Sequence, residues 1–169
     1  PVFTSCIEQL DACRELSEAI STRILPDTAA QIGKGDVIAR GVSEELDSLH
    51  DALSHSKEIL LDIQQREKER TAIPSLRISY NNVFGYFLEV RNTHKDRVPS
   101  DWIRKQTLVS AERYITPELK QYEEKILGAE EKILALETEI YGVLLTSIQA
   151  SVAVIQRNAS VVARLDVLT

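Results

Sequence analysis

Residues 76–90 read LRISYNNVFGYFLEV, and they decide the fold because their apolar residues recur at every second position. This period predicts two strands, 76–80 and 86–90, joined by a turn at Asn81-Asn82 with help from Gly85. Two more strands are predicted at 104–109 and 113–116, around a turn at Ser110-Ala111. Two adjacent hairpins of this kind indicate a small antiparallel sheet.

Long helices are predicted on both sides of this segment. Ser43 is a typical N-cap, and apolar residues then recur at heptad-like spacing to about residue 70. Thr116-Pro117-Glu118 is a typical helix start. The eleven positions behind it that keep the 3-4 spacing are apolar or aromatic except one: Leu119, Tyr122, Ile126, Ala129, Ile133, Leu136, Ile140, Val143, Ser147, Ala150 and Val154. Such a seam needs a partner helix, which residues 43–70 provide by running antiparallel.

The predicted fold class is α+β: a long, coiled-coil-like antiparallel helical hairpin with a small antiparallel sheet inserted at its tip, which makes an elongated rod. Residues 1–72 form the first part and end with the helix at 43–70. Residues 73–116 form the inserted module, and residues 117–169 return as a helix that continues to about Leu168. Within the first part, an apolar face that includes Phe3 and Cys6 predicts one helix or two short ones. Pro26 ends this helical part, and a connector follows over 26–42.

Composition limits the possible classes of protein. The 169 residues are 43% hydrophobic but only 5% aromatic, which favours long helices packed along their sides over a large compact core. The sequence begins with Pro1 and has no Met, so we expect an excised fragment of a longer protein. No apolar run reaches the ~18 residues of a membrane span, and no membrane partner is expected.

The cysteines and glycines predict no catalytic, metal or cofactor site in this chain. Cys6 and Cys13 are seven residues apart in a helical pattern, so their α-carbons should be roughly 10 Å apart, too far for a disulfide. Two reduced thiols fit a cytoplasmic protein. Gly33-Lys34-Gly35 lacks the GxxxxGK[ST] spacing of a phosphate loop. The three histidines, His50, His55 and His94, are expected to be solvated.

Charge is distributed unevenly along the chain. The net charge of −6 argues against a general nucleic-acid binder. Residues 74–116, however, hold seven basic and four acidic side chains, a net charge of +3, whereas the rest of the chain carries −9. A basic module on acidic helices is what contact with a phosphate backbone needs, although +3 over 43 residues can also arise by chance.

Two long stretches resemble the MutS family of mismatch-repair proteins. The first is residues 76–90, quoted above, and the second is residues 103–120, IRKQTLVSAERYITPELK. Shorter matches flank them at 41–47 (GVSEELD), 66–70 (REKER) and 163–167 (ARLDV). The resemblance covers about residues 26–169 and points to the bacterial type. It implies that the helical hairpin is the family's lever and that the inserted module, residues 73–116, is its clamp.

The resemblance also implies a function. MutS dimers close around duplex DNA, and the clamps touch the sugar-phosphate backbone without reading sequence. Mismatch reading and ATP hydrolysis with magnesium belong to other domains, so the second MutS subunit and ATP are expectations for the parent protein only. The family's contacts fall at positions matched here by Arg104, Lys105, Thr107 and Ser110. Val109 stands where some members have Lys.

Several basic residues of the clamp are candidates for contact with DNA. Lys105 is favoured over Arg104, because neighbours on a strand point to opposite faces and Lys105 then shares a face with Thr107 and Val109. Arg97, in the polar loop 92–101, is expected to make a looser charge contact, and Lys95 belongs to the same set. Arg66, Lys68 and Arg70 are candidates to extend this surface, but i,i+4 pairs at a helix end are the favoured interpretation.

Other residues have ordinary structural explanations. Phe87-Leu88-Glu89 matches the Phe-x-Glu tripeptide with which MutS proteins probe mismatches, but it lies inside a predicted strand, so Phe87 should be packed within the clamp. Trp102 is expected to be a core residue for the loop before it rather than a stacking platform for a base. Glu123, Glu124, Glu130 and Glu131 are expected on a solvated face. An alternative function is a structural coiled-coil arm that binds another protein.

Overall fold

The computed structural model describes residues 2–28 and 31–168. The described chain is α+β, as predicted. Its helices are α1 (Val2–Gln9), α2 (Arg14–Arg23), α3 (Glu44–Thr71), α4 (Pro117–Ala150) and α5 (Val152–Leu168), and its strands are β1 (Arg77–Asn81), β2 (Gly85–Arg91), β3 (Ile103–Thr107) and β4 (Ala111–Ile115). A 3-10 helix spans Asn92–Arg97.

The chain divides into two compact units, one of residues 48–133 and one of residues 1–47 with 134–169. In the first, the four strands form one antiparallel sheet in the order β1-β2-β4-β3. Arg77 pairs with Glu89, and Arg91 pairs with Ala111, so β1–β2 and β3–β4 are hairpins whose turns lie at opposite ends of the sheet. The β3–β4 turn is Val109-Ser110, one residue earlier than predicted, because the Leu108 N–H bonds the Ala111 carbonyl at 2.8 Å.

Local chemistry explains where these elements begin and end. The Ser43 hydroxyl accepts a hydrogen bond from Leu46 N–H at 3.3 Å, and the Thr116 hydroxyl accepts one from Leu119 N–H at 3.1 Å. These are the caps that the sequence predicts for α3 and α4. The Asn81 carboxamide oxygen accepts from Val83 and Phe84 N–H, which folds the turn between β1 and β2. Hairpins and caps were therefore fixed by residues close in sequence.

Gly85 and Glu123 connect the β1–β2 turn to α4. The backbone of Gly85 has φ +72°, in the left-handed region. The Glu123 carboxylate accepts a hydrogen bond from Tyr86 N–H at 2.6 Å and one from the Lys120 ammonium. A side chain at position 85 would overlap that carboxylate. Glu123 is only 3% exposed, so its prediction as a solvated residue was wrong; Glu124, Glu130 and Glu131 are exposed as predicted.

The core of this unit lies between the sheet and parts of α3 and α4. Its buried members are Leu60, Ile63, Ile73, Leu76, Leu88, Val90, Trp102, Tyr114, Leu119 and Ile126. Trp102 packs against Tyr114 with ring centroids 5.8 Å apart, which confirms its role as a core residue. His50 is buried as well, so its prediction as a solvated histidine was wrong.

Ion pairs link α3 and α4 within this unit. Arg66 pairs with Glu118, and Lys57 pairs with Glu130 at 3.3 Å. The later residue of α3 thus pairs with the earlier residue of α4, so the two helices run antiparallel in this unit. Leu119, Ile126 and Ile133 of the predicted seam are buried.

The predicted seam fails in the other unit. Val143 is 65% exposed and Ser147 and Ala150 are exposed, whereas Leu144 is 2% exposed. A straight helix drifts by ~20° per heptad, so the buried face moves off a strict seven-residue pattern. In this unit the segment that packs beside α4 is the connector with the residues just before it. Leu144 of α4 lines a cavity of about 440 Å³ together with Ile24 and Val37.

Glu137 holds the connector in that unit. Its carboxylate accepts hydrogen bonds from Val37 N–H at 2.8 Å and Ile38 N–H at 3.1 Å, and it is 1% exposed. Ile38 also forms an antiparallel β-bridge with Ile24, so the connector contains a short extended piece. A lone buried carboxylate would be costly, but two backbone donors compensate for its lost hydration.

The N-terminal segment forms two short helices. Cys13 has φ 46° and interrupts the helix between α1 and α2, and its N–H bonds the Asp11 carboxylate at 2.8 Å. Cys6 is buried and both cysteines are free thiols. The side chain of Phe3 lies outside the described residues.

An 18-residue window of α4 reaches a mean hydropathy of 1.2, enough by length and composition to cross a membrane. The same composition occurs in core helices of soluble proteins, so it is weak evidence. The carboxylates of Glu123 and Glu137 each bind backbone N–H groups of packed segments. Helix α4 therefore has packing partners within the protein.

Candidate nucleic-acid interface

The residues predicted to contact DNA lie on three neighbouring pieces of the clamp. Arg104, Lys105 and Thr107 are on β3, which is an edge strand of the sheet. Ser110 is in the β3–β4 turn and is exposed. Lys95 and Arg97 are on the 3-10 helix Asn92–Arg97, which replaces the irregular loop that the sequence predicted.

Asn92 joins these pieces together. Its backbone N–H bonds the Ser110 carbonyl at 3.1 Å, and its side-chain amide bonds the Val109 carbonyl at 2.9 Å. The start of the 3-10 helix is thereby fixed beside the β3–β4 turn. Sequence reasoning missed Asn92, because its partners lie 17 and 18 residues away and no local pattern marks them.

Strand β3 is irregular at Lys105. Arg104 pairs with Tyr114 and Gln106 pairs with Arg113, which leaves Lys105 as an extra residue without a partner on β4. This is a β-bulge, and it reverses the alternation of faces beyond it. Thr107, opposite Glu112, therefore lies on the face of Arg104. The pairing fixes the faces of Arg104, Gln106 and Thr107 but not that of the unpaired Lys105, so the shared face of Lys105 and Thr107 stays a prediction.

Two of the predicted contact residues are engaged inside the clamp. Arg104 pairs with Glu112 at 3.4 Å, and the Tyr114 hydroxyl donates to the same carboxyl group. The Arg97 guanidinium donates to the Ala72 carbonyl at 2.6 Å, just beyond the end of α3. Burial and the Glu112 carboxylate raise the pKa of Tyr114 to about 12, so this hydroxyl stays protonated as a donor.

Lys105 and Lys95 differ from these arginines. Both are exposed, and in the described part of the chain neither side chain makes an ion pair or a hydrogen bond. Arg91, at the end of β2, is the third basic residue of the clamp with these properties. Val109 at the tip of the turn is fully exposed.

A polar row crosses the whole sheet beside this surface. Arg77, Glu89, Arg113 and Gln106 lie opposite one another on β1, β2, β4 and β3. Arg113 donates to Gln106 at 2.8 Å and to Glu89 at 3.4 Å, and its guanidinium lies 4.4 Å from the centroid of the Phe87 ring. Phe87 is 2% exposed, which confirms that it is packed within the clamp.

Hydrogen bonds from Arg77 lower the pKa of Glu89 below its ordinary value of 4.5. Burial opposes this shift, and Arg113 adds to it. Glu89 is therefore ionised at neutral pH and neutralises part of the charge of two arginines. Gln106 and Arg113 of the family-like stretch 103–120 thus stabilise the sheet through contacts between its own strands.

A further pair ties the end of α3 to the loop before Trp102. Arg70 binds Asp101 through both terminal nitrogens, at 2.6 and 3.1 Å, and Glu67 at 3.3 Å. The hydrogen bond from Arg70 lowers the pKa of Asp101, and the bond to Asp101 raises the pKa of Arg70. Arg66 and Arg70 are ion-paired, as interpreted from the sequence, but the i,i+4 spacing was wrong: their partners are the nearby Glu67 and the distant Glu118 and Asp101.

The glycine segment of the connector has no phosphate-loop geometry. Gly33 and Gly35 both have positive φ, but the chain after them is extended at Ile38 instead of entering a helix. A phosphate loop places its backbone N–H groups at a helix N-terminus. Among residues 2–28 and 31–168, no cluster of three or more His, Cys, Asp or Glu side chains is arranged for a metal ion.

Comparison with known proteins identifies this architecture. The family model described as MutS family domain IV matches residues 41–132, more than half of the chain. The chain belongs to the MutS family. Residues 73–116, predicted from resemblance to be the clamp, lie within the matched segment.

Curated relatives agree with the family model. The protein named DNA mismatch repair protein MutS from Phocaeicola vulgatus is 58% identical over 95% of the chain, and its namesake from Porphyromonas gingivalis is 56% identical over the same share. The one from Flavobacterium johnsoniae is 55% identical. The chain spans 18% of the length of each of these three relatives.

Proposed function

We propose that this chain is the DNA-holding segment of a longer mismatch-repair protein, and that its clamp touches the sugar-phosphate backbone of duplex DNA without reading bases. The observation that supports this most directly is that some basic side chains of the clamp are bound to other protein groups whereas others are exposed and unbound in the described chain. Lys105 and Lys95 are exposed cations of the clamp that make no ion pair or hydrogen bond within the described chain, and Thr107 and Ser110 of β3 and the following turn are exposed hydroxyl residues. Cations and hydroxyls of this kind suit phosphate oxygens, which carry no sequence information.

The proposal extends to the parent protein. We propose that α3 and α4 act as the lever helices, that a second subunit of the same protein completes a ring around DNA, and that the parent works in the cytoplasm. ATP and magnesium would be bound elsewhere in the parent, since the glycine segment here lacks a phosphate-loop geometry. Arg104 and Arg97 then act by holding the clamp in shape, with weaker or no direct contact to DNA.

Lys105→Glu in the full-length dimer tests the proposal. We expect weaker binding to matched and mismatched duplex by the same factor, with ATP hydrolysis in the absence of DNA unchanged. Fluorescence anisotropy at several salt concentrations measures this. Lys132→Glu, an exposed lysine on α4, is the matched control for charge reversal. Equal effects of the two variants would contradict the proposal, and a loss confined to mismatched DNA would contradict the absence of base reading.

A protein-binding arm remains the alternative. It is favoured by exposed apolar side chains on α4 and α5, among them Val143 and Val162. Under that function, Val143→Ser with Val162→Ser would abolish capture of the partner and leave DNA affinity unchanged. Unchanged DNA affinity in Lys105→Glu, together with such a loss of capture, would favour the arm over the clamp.

A further inference from the structure

The clamp's seven basic residues fall into two groups. Four are engaged within the protein: Arg77 with Glu89, Arg97 with the Ala72 carbonyl, Arg104 with Glu112, and Arg113 with Glu89, Gln106 and Phe87. The other three are Arg91, Lys95 and Lys105. Their side chains have no hydrogen bond or ion pair among the residues that the structure describes. Only the second group can bind an external anion without first breaking an internal contact.

Arg91 is the member of this group that sequence reasoning left out. It is the last residue of β2, opposite Ala111, and it is exposed. Its neighbour Asn92 is bound to Val109 and Ser110, so Arg91 and the β3–β4 turn lie at the same end of the sheet. Lys95 belongs to the 3-10 helix that starts there.

We infer that Arg91 is a DNA-phosphate contact of the clamp, acting with Lys95 and Lys105 beside the β3–β4 turn. This inference rests on the proposed function. It assigns the direct contacts to the cations without internal partners and leaves Arg97 and Arg104 as positioning residues.

The spacing fits more than one phosphate. Arg91 on β2 and Lys105 on β3 are two strand intervals apart, about 10 Å across the sheet, and Lys105 is also offset along the strand, because it lies level with Arg113 and Tyr114 whereas Arg91 lies level with Ala111. This separation is larger than the advance of one DNA strand per nucleotide, which is about 3.4 Å along the helix axis. Arg91 and Lys105 therefore meet different phosphates, and their effects on binding should add.

Arg91→Gln in the full-length dimer tests the inference, with Arg77→Gln as the matched control. Both variants remove one guanidinium from the same face of the sheet, and Arg77 faces Glu89 one row away. We expect Arg91→Gln to reduce the slope of log affinity against log salt by about 0.9, the contribution of one phosphate. The affinity ratio between 50 and 200 mM salt then shrinks about 3.5-fold. Arg77→Gln should leave the slope unchanged, and Arg91→Lys should preserve it.

Two outcomes separate this inference from the proposed function. If Arg91→Gln matches Arg77→Gln while Lys105→Gln still reduces the slope, Arg91 is not a contact and the clamp proposal stands. If neither Arg91→Gln nor Lys105→Gln changes the slope, both fail. Circular dichroism of the variant chains checks that folding is intact, and a loss of helix signal in Arg91→Gln would show a structural role and overturn the inference.

Discussion

Replacement of Gly85 by alanine tests how the sheet is fixed to α4. Two costs follow from the structure. The residue has φ +72°, and an L-residue in the left-handed region costs about 1–2 kcal/mol. The added Cβ would lie only 2.6 Å from even the more distant oxygen of the Glu123 carboxylate, which must then move and leave Tyr86 N–H without its acceptor. Leaving a buried donor unpaired costs about 1–3 kcal/mol.

The two costs predict a loss of about 2–5 kcal/mol in the free energy of unfolding. Urea unfolding followed by Trp102 fluorescence measures it, because Trp102 is the one tryptophan in the sequence and is buried in the same unit as Gly85. Ala72→Gly supplies a reference in that unit. Ala72 has φ 52°, so glycine there should relieve backbone strain and stabilise the unit by about 1 kcal/mol.

A second substitution separates the backbone strain at position 85 from the overlap of the added Cβ with the Glu123 carboxylate. In a Glu123→Ala background the carboxylate is gone, so Gly85→Ala should cost only the backbone strain of about 1–2 kcal/mol. A double-mutant cycle then gives a coupling energy between the two positions. The reasoning is refuted if Gly85→Ala costs no more in the wild-type background than with Glu123→Ala.

Two further predictions concern carboxylates, that of the half-buried Glu89 and that of the buried Glu137. The folded-state pKa of Glu89 is lowered from 4.5, so the contribution of Glu89 to stability is present above pH 4.5 and is lost as pH falls through the folded-state pKa. Glu89→Gln should therefore reduce the fall in stability at acid pH, measured as urea midpoints from pH 6 to 3. An unchanged pH dependence would contradict the role of the hydrogen bonds from Arg77 and Arg113 to Glu89. Glu137→Ala should speed hydrogen exchange at the Val37 and Ile38 amides, each of which loses about 1–3 kcal/mol of protection, whereas Glu137→Gln keeps an acceptor and should change exchange less.

The elements that could be predicted are those whose causes are local. The Ser43 and Thr116 caps, the Asn81 turn and the alternation over 76–90 all act within a few residues, and each is where the sequence placed it. Burial of polar residues could not be predicted in this way. Glu123 and Glu137 have ordinary helix positions, and their partners are backbone groups 37 and 100 residues away.

The bulge at Lys105 shows the same limit on the candidate site. Strand periodicity assumes one residue per pairing step, and nothing in residues 103–107 marks the extra residue. One inserted residue exchanges the faces of every residue after it, so Thr107 lies on the same face of the sheet as Arg104, whereas simple alternation predicts opposite faces. The heptad pattern of α4 has the same limit, because it assumes one partner helix along the whole length of α4. The segment that packs against α4 changes along the helix, and Val143 of the predicted seam is exposed.

Counting charges overstates the surface that a phosphate backbone can use, and the reason lies in the chemistry of arginine and lysine. A guanidinium offers five donors in a fixed plane, so one arginine can bridge several strands, as Arg113 does with Glu89, Gln106 and Phe87. A lysine ammonium is a compact, hydrated charge and is more easily left in solvent. In the clamp four of five arginines serve the fold, while Lys95 and Lys105 have no partner in the described chain. Arg91 is the arginine that departs from this division, and this departure, rather than its charge, is the reason why we infer that Arg91 contacts DNA.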